Sequence, residues 1–97
     1  MDAFIVESYW PGVTAQAVAE VDVRAKAAAV ELSSEGTSAQ YLDSILIPED
    51  ESVFFLLGVG SAEAAEELAR RARIRIDRLV RCVRSNRLEG TSEVGPA

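Results

Sequence analysis

The sequence predicts a single α+β domain whose elements follow one another in the order β-α-β-β-α-β. Three observations carry this prediction. Apolar residues recur at the spacing of an amphipathic helix over residues 15–34 and again after Ser61. Four other stretches are rich in β-branched and aromatic residues, as strands are. The two central strands are separated only by a short acidic turn, which is typical of a hairpin.

The first strand and first helix have clear boundaries in the sequence. Residues 3–9 alternate side chains between two faces of a strand, and Trp10-Pro11-Gly12 ends it, because proline lacks an N–H and glycine permits a turn. Thr14 is a good N-cap for a helix that runs from residue 15 to residue 33 or 34. We expect Gly36 to end that helix.

The central hairpin, residues 41–59, is the strongest secondary-structure signal in the chain. Proline and three carboxylates at 48–51 predict its turn, since proline suits an early turn position and the acids stay in water. The second strand of the hairpin, 53–57, is apolar at every position. We therefore expect both of its faces to be buried.

The second helix is marked at both ends by residues that suit a helix terminus. Ser61 is its N-cap, and Glu63 lies in the positively polarised first turn. Arg70 and Arg71 complement the negative C-terminal end. The helix is therefore expected to be well defined at both termini.

The C-terminal part of the chain is predicted less sharply. Residues 74–78 form an ambiguous connector for which a helical turn is one interpretation, and 79–84 is predicted to be the last strand. The final stretch, 86–97, is rich in glycine, serine and threonine, which favours a flexible tail. A single domain over residues 1–85 is the resulting prediction.

Right-handed crossovers turn this element order into a specific architecture. They give a four-stranded antiparallel sheet of strand order 4-1-3-2 with both helices on one face, the ferredoxin-like βαββαβ sandwich. The other face would expose apolar residues beside two carboxylates: Ile5 and Tyr9 with Glu7, and Tyr41, Ile45 and Ile47 with Asp43. Soluble monomers rarely carry such a patch, so we expect a homodimer that packs sheet against sheet as an α+β barrel.

Composition excludes several classes of function. No apolar run approaches the roughly 20 residues that cross a bilayer, and no signal peptide is visible, so no membrane partner is expected. The single cysteine, Cys82, cannot form an internal disulfide, which favours the cytoplasm. The sequence has no histidine, the commonest metal ligand and general base.

The charge of the chain is unevenly distributed. Residues 1–69 hold 13 acids against Arg24 and Lys26, whereas residues 70–97 hold eight arginines against three acids. We interpret the basic end as neutralising the acidic body, within one chain or across a dimer. Nucleic acid is not an expected partner, because the net charge is −6 and the strands lack the aromatic signature that stacks bases.

Glu7 and Asp43 are the most informative candidates for a site, because each lies in the middle of a predicted strand. A carboxylate buried between two sheets must be protonated, paired or bound to a metal. The first interpretation is an ion pair, with Arg81 or Arg84 neutralising Glu7. The second is a polar anchor in a ligand cavity walled by aromatic side chains. The predicted ligand-binding residues are Glu7, Tyr9, Trp10, Tyr41 and Asp43.

Two weaker signals for metal or thiol chemistry have ordinary structural explanations. The acidic run 49–51 could hold a hard metal but lacks the spaced oxygens of a calcium loop, so a solvated turn is favoured. Cys82 has no neighbouring cysteine or histidine in the sequence. A packed strand residue is favoured there over a reactive thiol or a soft-metal ligand.

Several short motifs together resemble a known family. They are Ser8-Tyr9-Trp10-Pro11-Gly12-Val13-Thr14, then Tyr41-Leu42 with Ser44, then Pro48-Glu49-Asp50-Glu51, then Ser61-Ala62-Glu63-Ala64 with Ala69-Arg70-Arg71-Ala72. They resemble small bacterial nickel-binding, ferredoxin-like proteins first catalogued as a domain of unknown function. The resemblance implies a ferredoxin-like fold, a dimer related to the α+β-barrel proteins and Ni²⁺ as a ligand. It carries over no ligand position, because nickel favours imidazole and the sequence has no histidine. A separate departure from the family pattern is Arg73, which stands where a glycine is expected after the second helix.

Three hypotheses about function follow from these observations. The leading hypothesis is a small dimeric binding protein with a cleft between its sheets for a small ligand or metal ion. The alternative is a cofactor-independent enzyme of the dimeric α+β-barrel type, an isomerase or monooxygenase that uses Glu7 or Asp43 as acid and base. Metal binding through Glu, Asp and Cys82 is a third. The absence of histidine argues against the last two.

Overall fold

The computed structural model describes residues 2–85, which form a four-stranded sheet and two α-helices in the predicted order. The elements are β1 (Ala3–Tyr9), α1 (Ala15–Ser34), β2 (Ala39–Ile47), β3 (Ser52–Val59), α2 (Ala62–Ala72) and β4 (Arg78–Cys82), with one 3₁₀ turn, Pro48–Asp50, between β2 and β3. The α+β class is thereby confirmed. The tail predicted for 86–97 lies outside the described residues.

The sheet is antiparallel with the order β2-β3-β1-β4, which is the predicted 4-1-3-2 order. β1 and β3 lie at its centre, and both helices pack on the same side. This is the ferredoxin-like arrangement, and it follows from two right-handed β-α-β crossovers. None of the helices in the described part of the chain is long and apolar enough to cross a lipid bilayer.

The hydrophobic core lies between the helices and one face of the sheet, called the covered face below. Its largest fully buried side chains are Val6, Val53, Phe55, Leu57, Val59 and Leu68. Alanines supply much of the helical side of the core, among them Ala25, Ala29, Ala65 and Ala69. Because an alanine projects only a methyl group, both helices can lie close to the strands and leave few voids.

The predicted N-caps of both helices are present. The Thr14 hydroxyl accepts a hydrogen bond from the Ala17 N–H, and the Ser61 hydroxyl accepts one from the Ala64 N–H, each at 3.1 Å. α1 ends as predicted at Gly36, whose φ of +99° is a conformation that favours glycine. The ends of the helices were therefore readable from local chemistry.

α2 ends in the conformation of a glycine without having one. Arg73 follows the helix with a φ of 59°, in the left-handed region that side chains other than glycine adopt at a cost. The next residue, Ile74, donates its N–H to the Ala69 carbonyl at 2.8 Å and so closes the turn. The backbone at this position therefore has the conformation that favours glycine, as expected. Arg73 adopts it at the cost of some backbone strain.

β4 and the connector before it differ from the sequence prediction. The connector is extended and contains no helical turn, and the strand covers Arg78–Cys82 where 79–84 was predicted. The Asp77 N–H donates to the Glu7 carbonyl at 2.9 Å, and the Tyr9 N–H donates to the Asp77 carboxylate at 2.7 Å. These bonds hold the connector beside β1, so pairing already starts at Arg78. It stops at Cys82, opposite Ala3, because β1 begins there.

Candidate functional site

The side of the sheet turned away from the helices, called the open face below, is formed by alternate residues of all four strands. They are Ile5, Glu7 and Tyr9 of β1, Asp43, Ile45 and Ile47 of β2, Phe54 and Leu56 of β3, and Arg78, Val80 and Cys82 of β4. Ile45 is 56% exposed and Tyr9 49% exposed, and most of the others are half-buried by their neighbours. Both helices pack on the other face, so no helix of residues 2–85 covers the open face. The residues listed above make it a largely apolar surface with a few charged side chains.

Glu7 lies on the open face between β3 and β4. It is opposite Phe54 on one side and Arg78 on the other, and its Oε1 is 3.8 Å from the Arg78 guanidinium. The prediction that Arg81 or Arg84 neutralises Glu7 is wrong. Arg81 is opposite Phe4, which places it on the covered side of β4, and it pairs with Asp2 at 3.1 Å. Arg84 lies beyond the end of β4.

Asp43 and Tyr41 lie on opposite faces of the sheet, so the expectation that they share one is wrong. The β2–β3 register shifts between them, and Leu42 is the extra residue of a β-bulge. A bulge reverses the alternation of side chains that follows it. Asp43 is exposed on the open face, where its carboxylate accepts the Ser44 N–H at 2.8 Å.

Tyr41 packs instead against the core on the helix side. Its hydroxyl donates a hydrogen bond to the Asp22 carboxylate of α1. Burial raises the pKa of the Tyr41 hydroxyl, and the hydrogen bond to Asp22 raises it further. Tyr41 therefore stays neutral and ties β2 to α1.

Tyr9 and Trp10 lie together at the end of β1, where they line a cavity of about 270 Å³. The cavity opens between the β1–α1 turn, α1 and the connector from α2 to β4. We call it the arginine pocket, after three of its lining residues, Arg24, Arg73 and Arg75. Ser8, Tyr9 and Trp10 also line it. Of the predicted ligand-binding residues, it contains the two aromatic ones from β1 and its turn.

The five predicted site residues thus fall into three places. Glu7 and Asp43 lie on the open face but on strands that β3 separates, so their carboxylates do not form one cluster. Tyr9 and Trp10 lie at the arginine pocket, and Tyr41 is on the helix side. The sequence prediction overestimated how closely these residues converge.

The arginine pocket contains functional candidates that the sequence prediction did not name. Arg24 is one of only two basic residues among the first 69 positions, and Arg73 replaces a glycine at the end of α2. Both features were visible in the sequence as departures from a local pattern. What the pattern did not reveal is that α1 and the α2–β4 connector bring these two side chains to one cavity.

The metal-ligating side chains of residues 2–85 do not fit a nickel site. Within residues 2–85 no three side chains of His, Cys, Asp or Glu are grouped as metal ligands, and the sequence has no imidazole, which nickel favours. In the acidic turn, Glu49 and Asp50 are exposed, and Glu51 accepts the Gly12 N–H at 2.9 Å. The acidic turn thus has a structural role in holding the β1–α1 turn.

No protein-family model and no curated protein matches this chain. Among solved structures, the fold is similar to the crystal structure of SCO4226 from Streptomyces coelicolor A3(2). The two superpose with a TM-score of 0.61 and 18% sequence identity over 79% of this chain and 90% of that one. At this level of identity the similarity establishes a shared small α+β fold.

Proposed function

We propose that this protein is a homodimeric binding protein whose two protomers pack through their open faces. The observation that carries the proposal is the open face itself. Ile45 and Tyr9 are about half exposed there, and half-buried apolar side chains surround them. Two helices can cover only one face of a four-stranded sheet, and soluble monomers seldom leave the other face apolar. A second copy of the same face is the simplest cover.

The charges on the open face favour a second copy over an unrelated partner. Arg78 lies on one edge strand of the sheet and Asp43 on the other. A twofold axis that runs along the strands places each β4 over the partner's β2. By the strand registers, Arg78 then lies over the partner's Ile45, two residues along β2 from the partner's Asp43. Charges of opposite sign therefore come to the same edge of the interface, and the face is complementary to itself in charge as well as in apolar character.

Packed sheets lie about 10 Å apart. A carboxylate at the centre of such an interface needs a hydrogen-bond donor or a cation beside it, because burying an unpaired charge is costly. Glu7 is central, and its single ion pair with Arg78 is long at 3.8 Å. We therefore place the binding cleft around Glu7, with a small polar molecule or a metal ion as its occupant. Nickel, the ion implied by the sequence resemblance, would need carboxylates from both protomers. The enzymatic alternative stays a prediction.

We also propose a cytoplasmic location in a bacterial cell. Cys82 is the only cysteine in the chain and is half-buried on β4 without a disulfide, which suits a reducing compartment. The bacterial assignment is supported by the sequence resemblance and by the fold shared with the Streptomyces protein. Cell fractionation of the tagged protein is expected to recover it with cytosolic markers, and recovery with a periplasmic marker would contradict the assignment.

Size-exclusion chromatography with light scattering tests the dimer. The wild-type protein is expected to have twice the 10.5 kDa mass of the chain at micromolar concentration. Leu56→Asp introduces an unpaired charge on a central strand of the open face and is expected to give a monomer. Val30→Asp is the matched control, since Val30 is 70% exposed on the outer side of α1 and should leave the dimer intact. A monomeric wild type, or dissociation by the control alone, would refute the proposal.

A further inference from the structure

The arginine pocket has the charge of an anion site in a chain whose net charge is −6. Three arginines line it, and they differ in what they already bind. Arg75 pairs with Asp77 at 3.0 Å. Arg24 donates only its Nε to the Ala72 carbonyl, at 2.9 Å, which leaves both terminal nitrogens available. Within residues 2–85, neither Arg24 nor Arg73 forms an ion pair.

Arg71, two residues before Arg73 and in the last turn of α2, shows how this chain neutralises an arginine that has a structural role. Its guanidinium contacts the carboxylates of Glu31, Glu35 and Glu67, each at 2.7 to 2.8 Å. Carboxylates of the acid-rich sequence therefore form ion pairs with the arginine that joins α2 to α1. Two uncompensated guanidiniums beside one cavity are consistent with a partner that is a ligand.

The second observation is a buried hydroxyl without a partner. Ser8 is only 4% exposed and lines the same cavity. None of the side-chain hydrogen bonds of residues 2–85 involves its hydroxyl. Leaving a buried polar group unsatisfied is energetically costly, so native proteins rarely do so without a reason. A ligand oxygen in the pocket would satisfy it.

The remaining walls of the arginine pocket are apolar and aromatic. They include Trp10 of the β1–α1 turn, Val21 of α1 and Phe55 of β3. The volume of about 270 Å³ is at the small end of the range for ligand sites. Such a pocket suits a compact molecule with one charged end and one apolar end.

We propose that the arginine pocket binds a small organic carboxylate with an aromatic or branched apolar body. The carboxylate accepts hydrogen bonds from the guanidiniums of Arg24 and Arg73 and from the Ser8 hydroxyl. The apolar body packs on Trp10 and Phe55. Ser8 and Phe55 place this site on the covered side of the sheet, and of its lining residues Tyr9 alone also belongs to the open face. The site is therefore separate from the cleft proposed around Glu7.

Trp10 is the only tryptophan of the chain, so its fluorescence reports directly on the pocket. Titration with benzoate is expected to change this fluorescence saturably, with a matching heat in calorimetry. Benzyl alcohol, which has the same ring without the charge, is expected to bind at least about tenfold more weakly, because it cannot accept charge-assisted hydrogen bonds. Inorganic phosphate, which has the charge without the ring, separates anion binding from recognition of the apolar body.

Arg73→Gly is the decisive variant because it removes a guanidinium and relieves a left-handed backbone, so loss of binding cannot be ascribed to unfolding. We expect it to weaken benzoate binding about tenfold or more. Arg84→Gln removes the same charge from an exposed position outside the pocket and should leave binding unchanged. Equal affinity of Arg73→Gly and wild type, equal binding of benzyl alcohol, equal or tighter binding of phosphate, or no response to benzoate would each overturn the proposal.

Discussion

The two faces of the sheet are built by the same four strands but differ in how far their side chains are buried. Neighbouring phenylalanines of β3 show the contrast: Phe55 on the covered face is 1% exposed, whereas Phe54 on the open face is only half-buried. On the covered face, α1 and α2 supply the cover from within the chain. On the open face, equally apolar residues have no cover among residues 2–85. When a chain has more apolar surface than its own helices can cover, we infer that a second chain covers the rest.

The largest expected effects separate these two phenylalanines. Phe55→Ala removes a fully buried ring from the core and is expected to lower the free energy of unfolding by about 3–5 kcal/mol, equally at low and high protein concentration. Phe54→Ala is expected to cost less in the monomer and more as concentration rises, because its ring is buried only on association. Urea unfolding at two protein concentrations measures both. A loss for Phe54→Ala that is independent of concentration would remove the distinction between the faces.

A smaller effect is expected where α2 leaves the covered face. Arg73→Gly relieves a φ of 59° and is expected to raise the free energy of unfolding by about 1 kcal/mol, without changing the dimer. Arg70→Gly, inside α2, is the control and is expected to lower stability by a similar amount. Thermal and urea unfolding of the two variants check the sign. A destabilised Arg73→Gly would show that the arginine side chain contributes more than its backbone costs.

The smallest effect concerns the ion pairs that join α1 to α2 outside the covered face. Hydrogen bonds from Arg70 and Arg71 lower the pKa of Glu67 from 4.5 to about 2. A carboxyl whose pKa is lower in the folded protein stabilises it above its unfolded pKa, and this contribution is lost as the pH falls from 4.5 towards 2. Water screens the group, so the loss is modest.

Glu67→Gln is expected to flatten the decrease in stability over that acidic range, while Glu66→Gln, its exposed neighbour on α2, is not. Chemical unfolding at a series of pH values measures the slope. The slope should not depend on protein concentration, because this cluster lies within one chain. An unchanged slope in Glu67→Gln would show that the ion pairs are not maintained in solution.

Most of the fold could be predicted because the determining signals are local. Thr14 and Ser61 mark where the helices start, Gly36 marks where α1 ends, and the wholly apolar run of β3 marks a central strand of the sheet. Such features act within a few residues of the chain. Strand order then follows from the handedness of the crossovers.

The arrangement of the candidate site could be predicted only in part, because it depends on register and on packing between distant segments. The bulge at Leu42 has no marker such as glycine, and it moves Tyr41 to the helix side. The partner of Glu7 is Arg78 because the Asp77 bonds to β1 set the start of β4. The arginine pocket joins Arg24 to a connector about fifty residues later, a contact that no local pattern encodes.

The central claim is that the open faces pack against each other, and an isotope-filtered NOE experiment tests it most directly. A dimer assembled from labelled and unlabelled protomers reveals only contacts between chains. We expect intermolecular NOEs from the side chains of Ile45, Leu56 and Val80, all on the open face. Intermolecular NOEs from Val23 and Val30 on the outer side of α1, or none at all, would contradict the account.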